Sequence, residues 1–92
     1  IGEAELLIVQ DIFPSLLTAR ANVVLAGATF NEREGSFVNH AGLVQAIRQA
    51  TRPVGDARSD GRILHELMQR KGLFNAAAIH REMASEIGSF EL

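Results

Sequence analysis

No cysteine occurs among the 92 residues. That excludes a disulfide, an iron–sulfur cluster and a thiolate metal site within this segment, and leaves the redox compartment unreadable from cysteine use. An excess of one charge sign is also missing: 9 basic residues face 11 acidic ones. The resulting net charge of −2 gives no electrostatic reason to expect nucleic acid or an anionic membrane as partner. Long apolar runs are absent, and Leu6–Val9 is far too short to insert in a bilayer. The first residues lack the basic and apolar regions of a signal peptide. They open as IGEAELLIVQ, without an initiator Met and almost directly in a strand, as expected of a cut inside a longer polypeptide. The histidines, His40, His65 and His80, have no metal-ligand spacing, and the His-Arg-Glu step at 80–82 lacks the cysteine half of a zinc-deaminase signature. No bound iron, zinc or molybdenum is therefore expected on this chain alone. Internal repeats and low-complexity segments are absent too.

What is present points to one small α/β unit with a modest core, of the kind that neighbouring domains often complete. ELLIVQ (5–10) and NVVLAGA (22–28) are short continuous apolar runs, the pattern of strands buried on both faces of a parallel sheet. Between them, Pro14 suits the first turn of a short helix carrying Leu16, Leu17 and Arg20. Strand, helix and strand make a compressed βαβ piece over 1–30, near the lower limit of a parallel crossover. Residues 31–50 read as a β-hairpin arm over 36–47, because Asn39 and Gly42 occupy the first and fourth positions of a turn. TRPVGDARSDG (51–61) is a loop, with Ser59 or Asp60 available to cap the next helix.

A helical tail fills 62–92. Ile63, Leu64, Leu67 and Met68 form one stripe, and Gly72 is a natural stop after basic Arg70 and Lys71. Asn75 caps a second helix with Ile79, Met83 and Ile87 on one face and Gly88 as its end. The fold class is α/β: a small parallel βαβ piece, a β-hairpin arm and two C-terminal helices.

Candidate chemistry is sparse. His65 and His80 read as helix-surface or edge positions. Glu32 and Glu34 flank Arg33 and read as a solvated charged loop rather than a catalytic carboxylate pair. GATFNEREG has neither the glycine spacing nor the lysine of a phosphate-binding loop. In EGSFVNHAG, two glycines and an Asn beside a strand end allow close backbone approach to another surface. A hairpin packed against a neighbouring domain is the simpler reading of that segment.

Taken together, residues 6–72 resemble the molybdopterin oxidoreductase family. The shared pattern is an apolar strand, a short helix, a second strand, an acidic residue, Glu-Gly-Thr-Phe then Asn, a Gly-Arg/Leu-x-Gln step, a Pro-Gly-Ala loop and a helix. Here it reads ELLIVQDIF, TARANVVLAGATF, NEREGSFVNHAGLVQ and RPVGDARSDGRILHELM. Within the family the segment looks most like the large iron–sulfur subunit of bacterial NADH–quinone oxidoreductase (respiratory complex I). The resemblance implies a non-catalytic structural or docking role in an electron-transfer subunit. It implies iron–sulfur clusters elsewhere in the parent, no molybdopterin, and a place at the cytoplasmic side of the inner membrane. Implied partners are the rest of the parent subunit and other subunits of the complex. The apolar strands, which two short helices cannot cover on both faces, add the expectation of a homodimer for the chain alone, through edge pairing or an exchanged segment. In cofactor-bearing relatives the Gly-Thr-x-x-Asn region approaches the pterin, which makes Gly35, Ser36 and Asn39 the candidate cofactor-binding residues. Departures stand at Asn22 and Ala26, where the family has Asp and Pro, at Ser36 for Thr, and at Leu43 for Arg. A true molybdopterin-dependent oxidoreductase, such as a formate dehydrogenase or nitrate reductase, is the alternative parent, and a free-standing soluble adaptor is a third reading.

Overall fold

The computed structural model of the chain describes residues 2–88. Strand β1 (Ile8–Asp11) is followed by helix α1 (Leu16–Arg20) and strand β2 (Val23–Ala26). A single 3₁₀ turn (Phe30–Glu32) leads into strands β3 (Gly35–Val38) and β4 (Val44–Ile47), and helices α2 (Asp60–Leu67) and α3 (Ala76–Glu86) close the sequence of elements. β1 and β2 pair in parallel with Ile8 opposite Val23, and β3 and β4 pair antiparallel with Val38 opposite Val44. The architecture is the α/β arrangement read from the sequence.

Local chemistry explains each element. In α1, the Ser15 Oγ accepts the Thr18 N–H at 3.2 Å while Thr18 Oγ1 accepts the Ser15 N–H at 2.8 Å. This reciprocal box starts a helix too short to persist alone, and it places Pro14 just before the cap rather than inside the first turn. The hairpin turns where expected. Asn39 Oδ1 accepts the N–H groups of Ala41 at 2.9 Å and Leu43 at 3.0 Å. Gly42 takes the left-handed φ of 80° that the turn needs. Ser59 caps α2, with Oγ accepting the Arg62 N–H at 3.3 Å, and Asn75 caps α3, with Oδ1 accepting the Ala78 N–H at 3.0 Å.

Three sequence expectations shift. The first strand starts later than residue 5: Leu7 is tied by its N–H to the Asn22 side chain at 2.8 Å, and the ladder proper begins at Ile8. Helix α2 ends at Leu67, well before Gly72, because Gln69 adopts a left-handed φ of 54° and breaks the helical path first. On α3 the buried residue is His80, flanked by half-buried Ala76, Ile79 and Ala84; Met83 lines the cleft against β3 beside Ile79, and the expected stripe fails only at its end, Ile87.

The core is thin. Val9, Ala28 and Ile63 are its buried apolar residues among those described. β1 and β2 are not covered on both faces as their continuous apolar runs predict: Val9 is 7 % exposed, but Ile8 is 53 % and Val24 49 % exposed. The reason is the count of layers. α1 is a single turn, and the later helices reach only part of a two-stranded sheet.

Two ion-pair clusters tie the C-terminal half. Glu66 is held by Arg62 at 3.0 Å and by Arg58, and Arg70 from the segment after α2 reaches Glu82 on α3 at 2.8 Å. The hydrogen bond from Arg62 holds the Glu66 carboxyl below the usual carboxylate range, and that from Arg70 does the same for Glu82. A carboxylate whose pKa is lower folded than unfolded contributes stability above its unfolded value, about 4.3. That contribution disappears as pH falls through the lowered folded value. Denaturation at pH 7 and at stepwise lower pH should therefore show stability declining below that range. Glu82→Gln should flatten part of the decline, and an unchanged slope would show that this pair is fully solvent-screened.

Candidate functional site

Two polar assemblies stand out from the apolar background. The first lies beyond the C-terminal ends of β1 and β2, the edge where open parallel sheets bind ligands. Asp60, first residue of α2, is free to face the sheet because Ser59 does the capping. Its carboxylate accepts Gln10 Nε2 from β1 at 2.7 Å and forms an ion pair with Arg33. Arg33 also lies over the Phe37 ring, 5.9 Å from its centroid. Gly27 lies beside the carboxylate: a Cβ there would sit 3.4 Å from Asp60 Oδ1, an ordinary van der Waals contact. Behind it, Ala28 N–H bonds Arg58 C=O at 2.9 Å and Arg58 N–H bonds Ala26 C=O at 3.0 Å, so the loop before α2 continues the sheet for one residue.

The second assembly is a cleft of ≈ 300 Å³ between β3, the start of α2, Phe74 and α3. His80 lies in it, 8 % exposed, with Nδ1 3.2 Å from Ser36 Oγ. This corrects the reading of His80 as a surface residue. Helix α3 brings the imidazole onto β3, where the ring packs as a half-polar core side chain. His65 is half-buried and meets Phe74 edge-on at 6.0 Å between ring centroids. Glu34 Oε1 accepts the Ala76 N–H at 3.2 Å and so sits at the α3 N-terminus, where a carboxylate is favoured. Glu32 Oε2 accepts the Thr29 N–H at 3.0 Å. Both carboxylates thus cap a turn or a helix N-terminus, and Glu34 remains exposed, as expected of a solvated charged loop.

The three candidate residues do not converge. Gly35 opens β3, with open space where a Cβ would stand. Ser36 is engaged with His80, and Asn39, past the other end of β3, spends its amide oxygen on the hairpin turn. Among the described residues, no group of three or more His, Asp or Glu side chains is placed to hold a metal ion. No described helix is long and apolar enough to cross a membrane. Asp60 was legible only as an alternative cap, and its ties to residues 27 and 50 positions away carry no local sequence signal.

Comparison with known proteins adds the family. A family profile described as "Molybdopterin oxidoreductase" matches residues 2–70. The chain is 38 % identical over 90 residues to the NADPH-Fe(3+) oxidoreductase subunit alpha of Geobacter sulfurreducens, covering 94 % of this chain and 11 % of that protein. It is 45 % identical over 60 residues to an NADH-quinone oxidoreductase subunit of Rhizobium meliloti, covering 65 % of this chain and 7 % of that one. Against the F420-dependent formate dehydrogenase subunit alpha of Methanocaldococcus jannaschii, identity is 40 % over 68 residues, covering 74 % and 10 %. The chain thus spans about a tenth or less of the length of these relatives. No solved structure matches it. With its strand–helix–strand piece, hairpin and following helix lying within the matched residues, the chain belongs to the molybdopterin oxidoreductase family.

Proposed function

We propose that the chain is a non-catalytic structural and docking part of the molybdopterin-type domain of a larger oxidoreductase subunit, of the NADH–quinone oxidoreductase kind. One observation carries this reading, the surplus of uncovered surface. A folded monomer of 10.0 kDa exposes about 5,200 Å², whereas this chain exposes 7386 Å². Its radius of gyration is 15.3 Å, against about 12 Å for a compact chain of this length. The uncovered side chains include Ile8, Ile12, Phe13, Leu16, Val23 and Val24, all on or beside β1 and β2. Burying one such side chain is worth about 1.5–3 kcal/mol, so a covering domain gains substantially from docking here. In this reading the remainder of the longer polypeptide supplies the cover, and the parent works at the cytoplasmic side of the inner membrane with its iron–sulfur clusters elsewhere.

The engagement of the candidate residues supports the same reading. The residues do not fit a pterin contact set: Asn39 is used by the turn, Ser36 by His80, and the family Arg is Leu43. Gly35, Ser36 and Asn39 then serve the hairpin. The formate dehydrogenase relative keeps the alternative of a pterin-dependent parent in view.

The two readings are separated in the longest natural polypeptide containing this sequence, by assaying molybdenum and pterin in the purified protein and in its Ser36→Ala and Asn39→Ala variants. The docking reading expects neither variant to change the content of either. Stoichiometric molybdenum or pterin that is lost in both folded variants would overturn it.

A further inference from the structure

We propose that the 92-residue chain, when it stands alone, closes the open edge of β1 on a second copy, as a two-fold dimer with β1 antiparallel to the β1 of its partner. The inference goes beyond the docking role, since it concerns what covers the sheet when no larger domain does. β1 has one neighbour only, β2, among the described residues. The C=O groups of Leu7 and Asp11 accept N–H groups from residues 22, 23 and 27, on the β2 side. Backbone groups alternate sides along a strand, so those of Ile8 and Gln10 point away from β2, along the open edge. Such an edge is a template for another strand.

Symmetry narrows the pairing. A two-fold axis relating a strand to its own copy in one sheet makes the pair antiparallel. Hydrogen-bonded pairs then require edge-facing residues opposite each other. The register that uses both sets Ile8 opposite the partner's Gln10, with Val9 facing the partner's Val9 across the axis. In that register Leu6 lies opposite the partner's Ile12, extending the contact with two side chains that are exposed in the single chain. No two acidic residues fall opposite each other along β1. The chain as a whole has area to spare: its surplus of about 2,200 Å² over a folded monomer exceeds the roughly 800 Å² per partner of a standard interface. Pairing β1 with the partner's β1 uses the same edge on both chains, so this contact closes at two copies rather than growing into a fibre.

Sedimentation velocity of the purified chain across micromolar concentrations tests this, with Ile8→Lys, Ile8→Pro and Ile8→Val. The unsubstituted chain and Ile8→Val should sediment as dimers. Ile8→Pro removes the edge-facing N–H without touching the β1–β2 ladder, and Ile8→Lys places charge on the edge. Both should raise the dimer Kd at least about tenfold while their circular dichroism remains that of the parent. Ile8→Lys keeps the test decisive if the proline variant fails to fold. A folded monomer at all concentrations, an open-ended series of larger species, or a dimer indifferent to Ile8→Lys would each overturn the proposal.

Discussion

Gly61→Ala is expected to destabilise the chain by about 1–3 kcal/mol, against the usual direction of such a change. Alanine in place of glycine inside a helix ordinarily gains roughly 0.5–1 kcal/mol. Here the second residue of α2 lies under the Phe74 ring, and a Cβ would come within 2.4 Å of Phe74 Cζ and 2.8 Å of Cε2. The ring has to move. His65 of α2 meets the same ring edge-on, with 6.0 Å between ring centroids. The sign should reverse when the obstacle is removed: in a Phe74→Ala background, Gly61→Ala should stabilise. Denaturant titration of the four species, at fixed protomer concentration because association shifts apparent stability, gives the coupling directly. A Gly61→Ala effect that is the same in both backgrounds would mean that Phe74 is not what excludes a side chain at residue 61.

The second large effect belongs to Asp60. Hydrogen bonds to charged groups contribute about 1.5–3 kcal/mol. Asp60 is 48 % exposed and Arg33 24 % exposed, so solvent screening reduces that range to about 1–2 kcal/mol. Asp60→Ala removes both the Arg33 ion pair and the Gln10 bond, while Asp60→Asn keeps an acceptor for Gln10 and loses only the charge. The alanine variant should therefore lose more than the asparagine variant, and the difference between wild type and Asp60→Asn should shrink in high salt. Equal losses in the two variants would assign the whole effect to the ion pair. No loss in either would show that Asp60 does not tie α2 to the sheet.

The fold was largely legible because its signals are local. Asn39 and Gly42 announce the hairpin through the two ends of one four-residue turn, and Ser59 and Asn75 announce two helices through their own caps. The apolar runs around Val9 and Val24 announced parallel strands, but not their exposure: Val9 is buried while Val24 is 49 % exposed, because one short helix and a two-stranded sheet cannot cover both faces. What the sequence hid depends on distant partners. His80 is buried against β3, where it meets Ser36 across 44 positions, a partner invisible from the histidine's own surroundings. Gln69 ends α2 ahead of the glycine that composition favoured. The candidate residues Gly35, Ser36 and Asn39 were carried by resemblance, and the bonds that now occupy Ser36 and Asn39 could not be read from the motif.

The segment at 58–60 has a further consequence, for the order in which the chain assembles. The βαβ piece closes through partners fifteen residues apart in its ladder, and the hairpin through partners at most twelve apart. Both are short loops with low closure entropy. By contrast, Arg58 joins β2 across 31 positions from Gly27, and Asp60 reaches Gln10 across 50. The βαβ piece and the hairpin can therefore close as local units at lower entropic cost than either long tie. Their relative placement is then expected to be set late, by one short stretch that also seals the C-terminal end of the sheet.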